Sequence, residues 1–106
     1  MDDQPTISTH VLDTERGAPG AGYRISLYRA DVGSDVQVGG GETDEDGRIR
    51  RVLDGRLEPG DYRIEVEING EFFVRSSITF RVDDPTRSYH VPLLLSPYSL
   101  TTYRGS

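Results

Sequence analysis

The chain of 106 residues contains no cysteine, no tryptophan and a single methionine. The absence of cysteine excludes thiolate nucleophiles, disulfide frameworks and cysteine-based zinc sites together. No segment approaches the roughly 20 apolar residues that a membrane span needs, and the N-terminal residues have neither the basic nor the apolar part of a signal peptide. We therefore expect a soluble, cytoplasmic protein with no membrane partner.

An excess of basic residues is also lacking. The net charge is -6, which argues against binding to the phosphate backbone of nucleic acids, because such binding needs a basic surface. The charge is uneven, since residues 85–106 contain two arginines and no carboxylate side chain. That distribution suits an anionic or electron-rich small ligand, although two arginines in so short a stretch can also occur by chance.

Helical periodicity is absent, and alternation of apolar and polar residues takes its place. Several short alternating stretches separated by turn signals favour an all-β sandwich of seven to eight strands, formed by one domain over residues 1–106. The predicted strands are 6–12, 23–28, 35–38, 48–53, 62–68, 72–82, 87–95 and 99–104.

Turn residues fix three features of this prediction. Asp46-Gly47 closes the segment T-D-E-D-G-R with a glycine at positive φ, which holds Arg48 near a rigid corner. Asn69-Gly70 predicts a tight hairpin between two long antiparallel strands. Pro92 cannot donate a hydrogen bond to a sheet, so its strand must be at an edge or irregular there. Leu94 shares the outer face with Pro92, and this apolar face suggests a subunit contact.

The polar residues that could carry chemistry are few. His10 and His90 are the only histidines, and each lies on the predicted non-core face of its strand. A single strand histidine is more often structural than a general base, and the lack of a histidine or carboxylate cluster makes a metal site improbable. Arg48 and Arg104 could bind a carbonyl or an oxyanion, or could be ordinary surface charges. Ser106 has no G-x-S-x-G turn around it, so it is better placed to orient water than to attack.

Three separated blocks resemble the 5-hydroxyisourate hydrolases, also called transthyretin-related proteins. The blocks are S-T-H-V-L-D at 8–13, T-D-E-D-G-R at 43–48, and Y-H-V-P-L-L-L-S-P-Y at 89–98 followed by T-Y-R-G-S at 102–106. The resemblance spans essentially the whole chain. The final tetrapeptide is the feature that separates the enzymes of this family from the hormone-carrying transthyretins.

The resemblance implies a transthyretin-like (prealbumin-like) two-sheet sandwich that assembles as a homotetramer, with active sites at the subunit interface and no cofactor or metal. It implies hydrolytic opening of the six-membered ring of 5-hydroxyisourate to 2-oxo-4-hydroxy-4-carboxy-5-ureidoimidazoline in urate degradation. By position, the catalytic residues are His10, Arg48, His90 and Ser106, and the substrate-binding residues are Tyr103, Arg104 and Gly105.

The chemistry of these residue types fits the implied reaction. Water must lose a proton as it attacks a ring carbonyl, and the resulting oxyanion must be stabilised. Our hypothesis from the sequence makes His90 the base, with His10 and Ser106 positioning water and Arg48 binding substrate oxygens. Which histidine takes the proton stays open at this point.

Two observations set limits to the resemblance: one departure from the family pattern and one similarity to non-catalytic domains. The tight hairpin at Asn69-Gly70 implies a deletion that removes the short helix of the family. The central stretch T-D-E-D-G-R…L-E-P-G-D-Y-R-I-E-V also resembles prealbumin-like accessory domains, so a non-catalytic ligand- or protein-binding module is the alternative. The two histidines and the final Y-R-G-S favour the enzyme over this module and over a hormone carrier.

Overall fold

The computed structural model describes residues 4–31 and 35–106. Residues 1–3 and 32–34, which the predicted single domain includes, lie outside the described residues. Within the described ranges the chain forms nine strands and no helix, and hence no helix that could cross a membrane. The strands are β1 (Ile7–Asp13), β2 (Ala18–Pro19), β3 (Arg24–Arg29), β4 (Val36–Glu42), β5 (Arg48–Ile49), β6 (Gly60–Glu67), β7 (Arg75–Val82), β8 (Tyr89–Ser96) and β9 (Ser99–Thr102).

The strands form two sheets, which confirms the predicted all-β, two-sheet architecture. One sheet has the order β2-β1-β8-β9, with β5 also paired to β1, and the other has the order β4-β3-β6-β7. β1 and β8 are parallel, whereas all other pairs of named strands are antiparallel. The two strands that carry the histidines are therefore neighbours in one sheet.

The predicted alternation along the strands places the core between the two sheets. Ile7, Thr9 and Val11 of β1 are buried, while Ser8 and His10 lie on the partly exposed outer face. The buried apolar residues of both sheets form one cluster: Ile7, Val11, Ile25, Leu27, Val52, Leu53, Leu57, Tyr62, Ile64, Val66, Val82, Tyr89, Val91, Leu93 and Leu95. Alternate residues of a strand lie on the same face of the sheet, so burial of the apolar residues of β1 leaves its polar residues on the solvent side.

The glycine-rich region differs from its prediction. The expected strand 35–38 extends through three consecutive glycines as β4, and the expected strand 48–53 is reduced to the two residues of β5. Gly39 explains the extension, because a Cβ there would lie 2.0 Å from the carbonyl oxygen of Val52. Only glycine permits such a close approach of two backbones. The segment 13–22, whose glycines and proline are typical of a turn, also contains the short strand β2.

The hairpin between β6 and β7 is antiparallel as predicted, but its turn lies elsewhere. The chain reverses after Gly70, whose N–H donates to the carbonyl of Phe73 at 2.9 Å, and not at Asn69-Gly70. Regular pairing starts only at Glu67 and Arg75, so β7 begins three residues later than expected. The connection over residues 68–74 contains no helix, in agreement with the predicted loss of that element.

The last two strands agree with the prediction made from Pro92. β9 pairs with β8 from Ser99 opposite Ser96 to Thr102 opposite Leu93, and the pairing stops one residue before Pro92. β9 therefore ends at Thr102 and not at residue 104 as expected. Beyond that point β8 is flanked by β1 on one side only, and Tyr103–Ser106 are free to follow a different path along β8.

Candidate active site

Sheet register brings four polar residues to one patch of the outer face. In the parallel pair β1/β8, Ser8 lies opposite His90. On the other side of β1, His10 lies opposite Arg48, the first residue of β5. Ser8 and His10 share a face because they are two positions apart, and directly paired residues on neighbouring strands also share a face. Three strands therefore assemble Ser8, His10, Arg48 and His90 side by side.

A chain of hydrogen bonds connects three of these side chains. His10 Nδ1 and His90 Nε2 are 2.8 Å apart, and the two rings are stacked with centroids 5.0 Å apart. His90 Nδ1 is in turn 2.8 Å from Ser8 Oγ. Both ring nitrogens of His90 are therefore engaged. Within residues 4–31 and 35–106, Nε2 of His10 is the one imidazole nitrogen of this chain without a hydrogen-bond partner.

The electrostatic setting favours the neutral form of both imidazoles. Burial lowers the pKa of His10, and the nearby Arg48 guanidinium lowers it further. Burial also lowers the pKa of His90, with additional contributions from His10 and Arg48. A neutral imidazole can accept a proton, so the pair has the protonation state that a general base needs.

Arg48 is held by the turn that precedes it. The Asp44 carboxylate accepts the backbone N–H of Arg48 at 2.9 Å, and this bond is the largest cause of the lowered pKa of Asp44. Gly47 has φ of 75°, and its carbonyl accepts the N–H of Val11 at 2.7 Å. The expected positive φ of the Asp-Gly turn is confirmed. The turn is thereby attached to β1 next to His10, although the Arg48 side chain remains exposed.

A cavity of about 180 Å³ opens beside Ser8, Arg48 and His90, next to the contact between His90 and His10. Its lining consists of Ser8, Thr9, Arg48, Ile49, Arg50 and His90. The sequence prediction missed Ser8 and Arg50. The signal was available, because each lies two positions from a predicted site residue and therefore on the same side of an extended chain. Ser8 could not be placed against His90 without knowledge of the parallel pairing.

The tail after β9 runs along β8. The Gly105 N–H donates to the carbonyl of His90 at 2.7 Å, and a Cβ on Gly105 would lie 2.6 Å from His90 Cδ2. The Arg104 guanidinium stacks on the ring of Tyr89 at 4.1 Å from its centroid, and its Nε donates to the Ser106 carbonyl at 3.0 Å. The tail is therefore attached to β8 at two neighbouring residues, Tyr89 and His90.

The structure brings some of the predicted site residues together and leaves others exposed. The structure brings His10, His90 and Arg48 together and packs Gly105 against His90. Tyr103 is 54% exposed, and Ser106 is exposed as well. In the described part of the chain no hydrogen bond joins the Ser106 hydroxyl to either histidine, and no group of three or more His, Cys, Asp or Glu side chains could hold a metal ion.

Comparisons with known proteins find relatives and solved structures that are similar to this chain over most of its length. The chain is 37% identical to the 5-hydroxyisourate hydrolase of Deinococcus radiodurans, with all of both chains covered. It is 41% identical to the uric acid degradation bifunctional protein TTL of Arabidopsis thaliana, of which it spans 38% of the length. The solved structure of Klebsiella pneumoniae 5-hydroxyisourate hydrolase superposes with a TM-score of 0.81 at 31% identity, covering 96% of this chain and 94% of that chain.

A sequence profile accounts for nearly the whole molecule, including both histidines, Arg48 and the tail as far as Gly105. The profile describes the HIUase/Transthyretin family and matches residues 7–105. Together with the two-sheet fold and the 37% identity to a relative that is covered over its full length, this match shows that the chain belongs to the HIUase/Transthyretin family.

Proposed function

We propose that this protein is a 5-hydroxyisourate hydrolase, which opens the six-membered ring of its substrate by attack of water on a ring carbonyl. The hydrogen-bonded pair of His10 and His90 beside Arg48 carries the proposal. This arrangement places a neutral base next to a cation, the two groups that hydrolysis of a poorly electrophilic carbonyl needs. The relatives from Deinococcus radiodurans and Klebsiella pneumoniae are named for the same activity.

The geometry favours His10 over His90 as the group that receives the proton from water. The hypothesis from the sequence assigned this role to His90. Both nitrogens of the His90 ring, however, are already bonded within the chain, to Ser8 and to His10. Nε2 of His10 is open, so the attacking water can donate to it directly. His90 then supports His10 from behind as its hydrogen-bond partner.

Arg48 supplies the positive charge. Its guanidinium presents several N–H donors in one plane, which suits a carbonyl oxygen that becomes an oxyanion during attack. Arg50 lines the same cavity and adds a second cation for the remaining substrate oxygens. When the carbon–nitrogen bond of the ring breaks, the proton held by His10 passes to the departing nitrogen. The base is then neutral again, and the atoms of one water molecule have been added to the substrate.

The tail completes the proposed site. Gly105 and Arg104 attach it to β8 through His90 and Tyr89, and Tyr103 and Arg104 line a neighbouring cavity that also includes His90. We assign substrate contacts to Tyr103, Arg104 and Gly105, and orientation of water or substrate to the Ser106 hydroxyl. The exposed position of Ser106 in a single chain is consistent with a site that a neighbouring subunit closes.

The small cavity of the single chain supports a site that is completed at a subunit interface, in the homotetramer that the family resemblance implies. At about 180 Å³ the cavity is smaller than the roughly 300–1,000 Å³ of most small-molecule sites. The outer face beside it is partly apolar, since Leu12 lies opposite Leu94 and both are only half-buried. A second subunit on this face would bury these side chains and add the missing wall. Light scattering after size exclusion should give four times the 11.8 kDa protomer mass; a monomer at micromolar concentration would contradict the assembly.

One assay tests the activity. 5-Hydroxyisourate is generated from urate with urate oxidase, and its absorbance decay is followed with and without the protein. We expect a large acceleration over the spontaneous decay and a loss of about 10²–10⁴-fold in kcat for His10→Asn. Ser96→Ala, a substitution at the far end of β8, serves as the matched control and should retain wild-type turnover. Decay at the spontaneous rate with the folded wild-type protein would favour a non-catalytic binding module.

A further inference from the structure

Ser8 stands at the closed end of the hydrogen-bond chain that contains both histidines. Its Oγ lies 2.8 Å from His90 Nδ1, and the register of β1 and β8 places the two residues directly opposite one another. Thr9 adds a rigid anchor at the next position, because its hydroxyl donates to the carbonyl of Val91 at 2.6 Å. The backbone around Ser8 is therefore fixed relative to His90, and so is the hydroxyl.

The position of the protons along this chain decides what His10 can do. A neutral imidazole carries one N–H, so the whole chain must run in one direction. If the Ser8 hydroxyl donates to His90 Nδ1, then His90 Nε2–H donates to His10 Nδ1, and His10 Nε2 carries a proton. If the Ser8 oxygen accepts instead, His90 Nδ1–H and His10 Nδ1–H both point toward Ser8, and His10 Nε2 is bare. Only the second arrangement provides a base.

We propose that Ser8 is a positioning residue that accepts a hydrogen bond from His90 Nδ1–H and thereby holds both imidazoles in the tautomer that leaves His10 Nε2 unprotonated. The expected effect of Ser8 on turnover rests on the proposed function. Its effect on the tautomers of the two histidines rests only on the geometry of the free protein. The role follows the general rule that the hydrogen bond at one ring nitrogen fixes the state of the other.

The same contact supports the chain during reaction. When His10 Nε2 takes a proton from water, His10 becomes an imidazolium next to Arg48. Transfer of its Nδ1 proton to His90 Nε2 moves the charge one residue away from Arg48. His90 then carries protons on both nitrogens, and its Nδ1–H remains bonded to the Ser8 oxygen. The reverse transfer returns the proton to His10 for the departing ring nitrogen, so no proton is lost.

The first experiment measures the tautomers without substrate. Long-range ¹H–¹⁵N correlation spectra of histidine-labelled protein above pH 7 should show the Nδ1–H form for His10 and His90. In Ser8→Ala at least one ring should change to the Nε2–H form, and Ser8→Thr should restore the wild-type pattern because it keeps the hydroxyl. Ser96→Ala is the control and should leave both signals unchanged. An Nε2–H form of His10 in the wild-type protein would overturn the proposal.

The second experiment measures turnover with the same variants. Ser8→Ala should lower kcat by about 10- to 100-fold, the effect of losing one hydrogen bond to a charged group, with KM changed less than about twofold. Ser8→Thr should recover most of the rate, and urea unfolding checks that every variant is folded. Unchanged kcat and unchanged tautomers in folded Ser8→Ala would refute the role. If the wild-type protein shows the expected tautomers but no turnover, the proposed function fails while the positioning by Ser8 stands.

Discussion

Gly105 offers the most direct test of whether the tail takes part in catalysis. A Cβ at this position would lie 2.6 Å from His90 Cδ2 and 3.2 Å from His90 Cγ. Ordinary carbon–carbon contacts are about 3.5–4.0 Å, so Gly105→Ala forces the tail or the ring to move by about 1 Å. Movement of the tail breaks the 2.7 Å bond from Gly105 N–H to the His90 carbonyl, and movement of the ring disturbs the 2.8 Å contact to His10.

The expected effect is large on the rate and small on stability. A displacement of about 1 Å at a reacting group can lower a rate by about 10²-fold. The lost backbone hydrogen bond contributes about 0.5–1.5 kcal/mol at most, and Gly105 is exposed, so the free energy of unfolding should fall by about 1 kcal/mol or less. The assays are kcat and KM on freshly generated 5-hydroxyisourate and urea unfolding at equal protomer concentration.

Gly70→Ala is the matched control. Gly70 is also exposed, but a Cβ there would meet its nearest atom, Ile68 Cγ2, at 3.4 Å, far from the histidines. This variant should keep wild-type kcat. If Gly105→Ala also keeps wild-type kcat, the contact between tail and His90 has no part in catalysis and the tail must be removed from the proposed site.

Two further perturbations test the support of Arg48 and its charge. Gly47→Ala adds a Cβ 2.4 Å from the Val11 carbonyl at a φ of 75°, whereas Gly55→Ala meets no atom within 4 Å at a φ of 82°. Urea unfolding should therefore show about 1–3 kcal/mol more destabilisation for Gly47→Ala, and equal losses would contradict the close packing of this turn on β1. Arg48→Gln should lower kcat/KM by about 10²–10³-fold. It should also move the acid limb of the pH profile of kcat/KM to higher pH, because the cation that lowers the pKa of both histidines is gone, whereas Arg48→Lys keeps the charge and the position of the limb. An unmoved limb in Arg48→Gln would refute this electrostatic coupling. In the wild-type protein the free energy of unfolding should fall as the pH drops below about 6.5, because the histidines bind protons more readily in the unfolded chain than in the folded protein. Arg48→Gln should weaken that pH dependence in the same unfolding assay.

Local patterns in the sequence predicted most of the architecture. Alternation located β1, β3, β6 and β8 within two residues at either end, and it correctly placed His10 and His90 on the non-core faces of their strands. Pro92 correctly indicated the place where β8 lacks a second neighbour. These predictions succeed because burial of one strand face and the missing N–H of proline act locally, on residues next to one another in the chain.

The errors arise where distant backbone contacts override local preference. The predicted strand ends at residue 38, before three glycines, yet the absence of a side chain at Gly39 allows the backbone of Val52 to lie against it and β4 to continue. Asn69-Gly70 is a strong hairpin signal, but the reversal lies between Gly70 and Phe73, where Phe72 contacts both Phe73 and Tyr98. Neither packing partner can be read from the segment itself.

The sequence identified three of the residues that the structure brings together, but not the hydrogen bonds between them. Motif resemblance selected His10, Arg48 and His90, and the structure places them together. Their roles depend on which ring nitrogen meets which partner, and the register of a parallel strand pair decides that. The sequence contains no local signal for this register, so the contact of Ser8 with His90 and the open nitrogen of His10 required coordinates.

The parallel pairing of β1 with β8 has a kinetic consequence. Ser8 and His90 are 82 positions apart, and His10 and His90 are 80 apart. Closing so long a segment costs chain entropy before any contact compensates for it, and contacts of high sequence separation form slowly. A nascent chain cannot form the pair until β8 has been synthesised. We expect recovery of enzymatic activity during refolding to follow the slowest phase, so that turnover reports the moment at which the first and eighth strands meet.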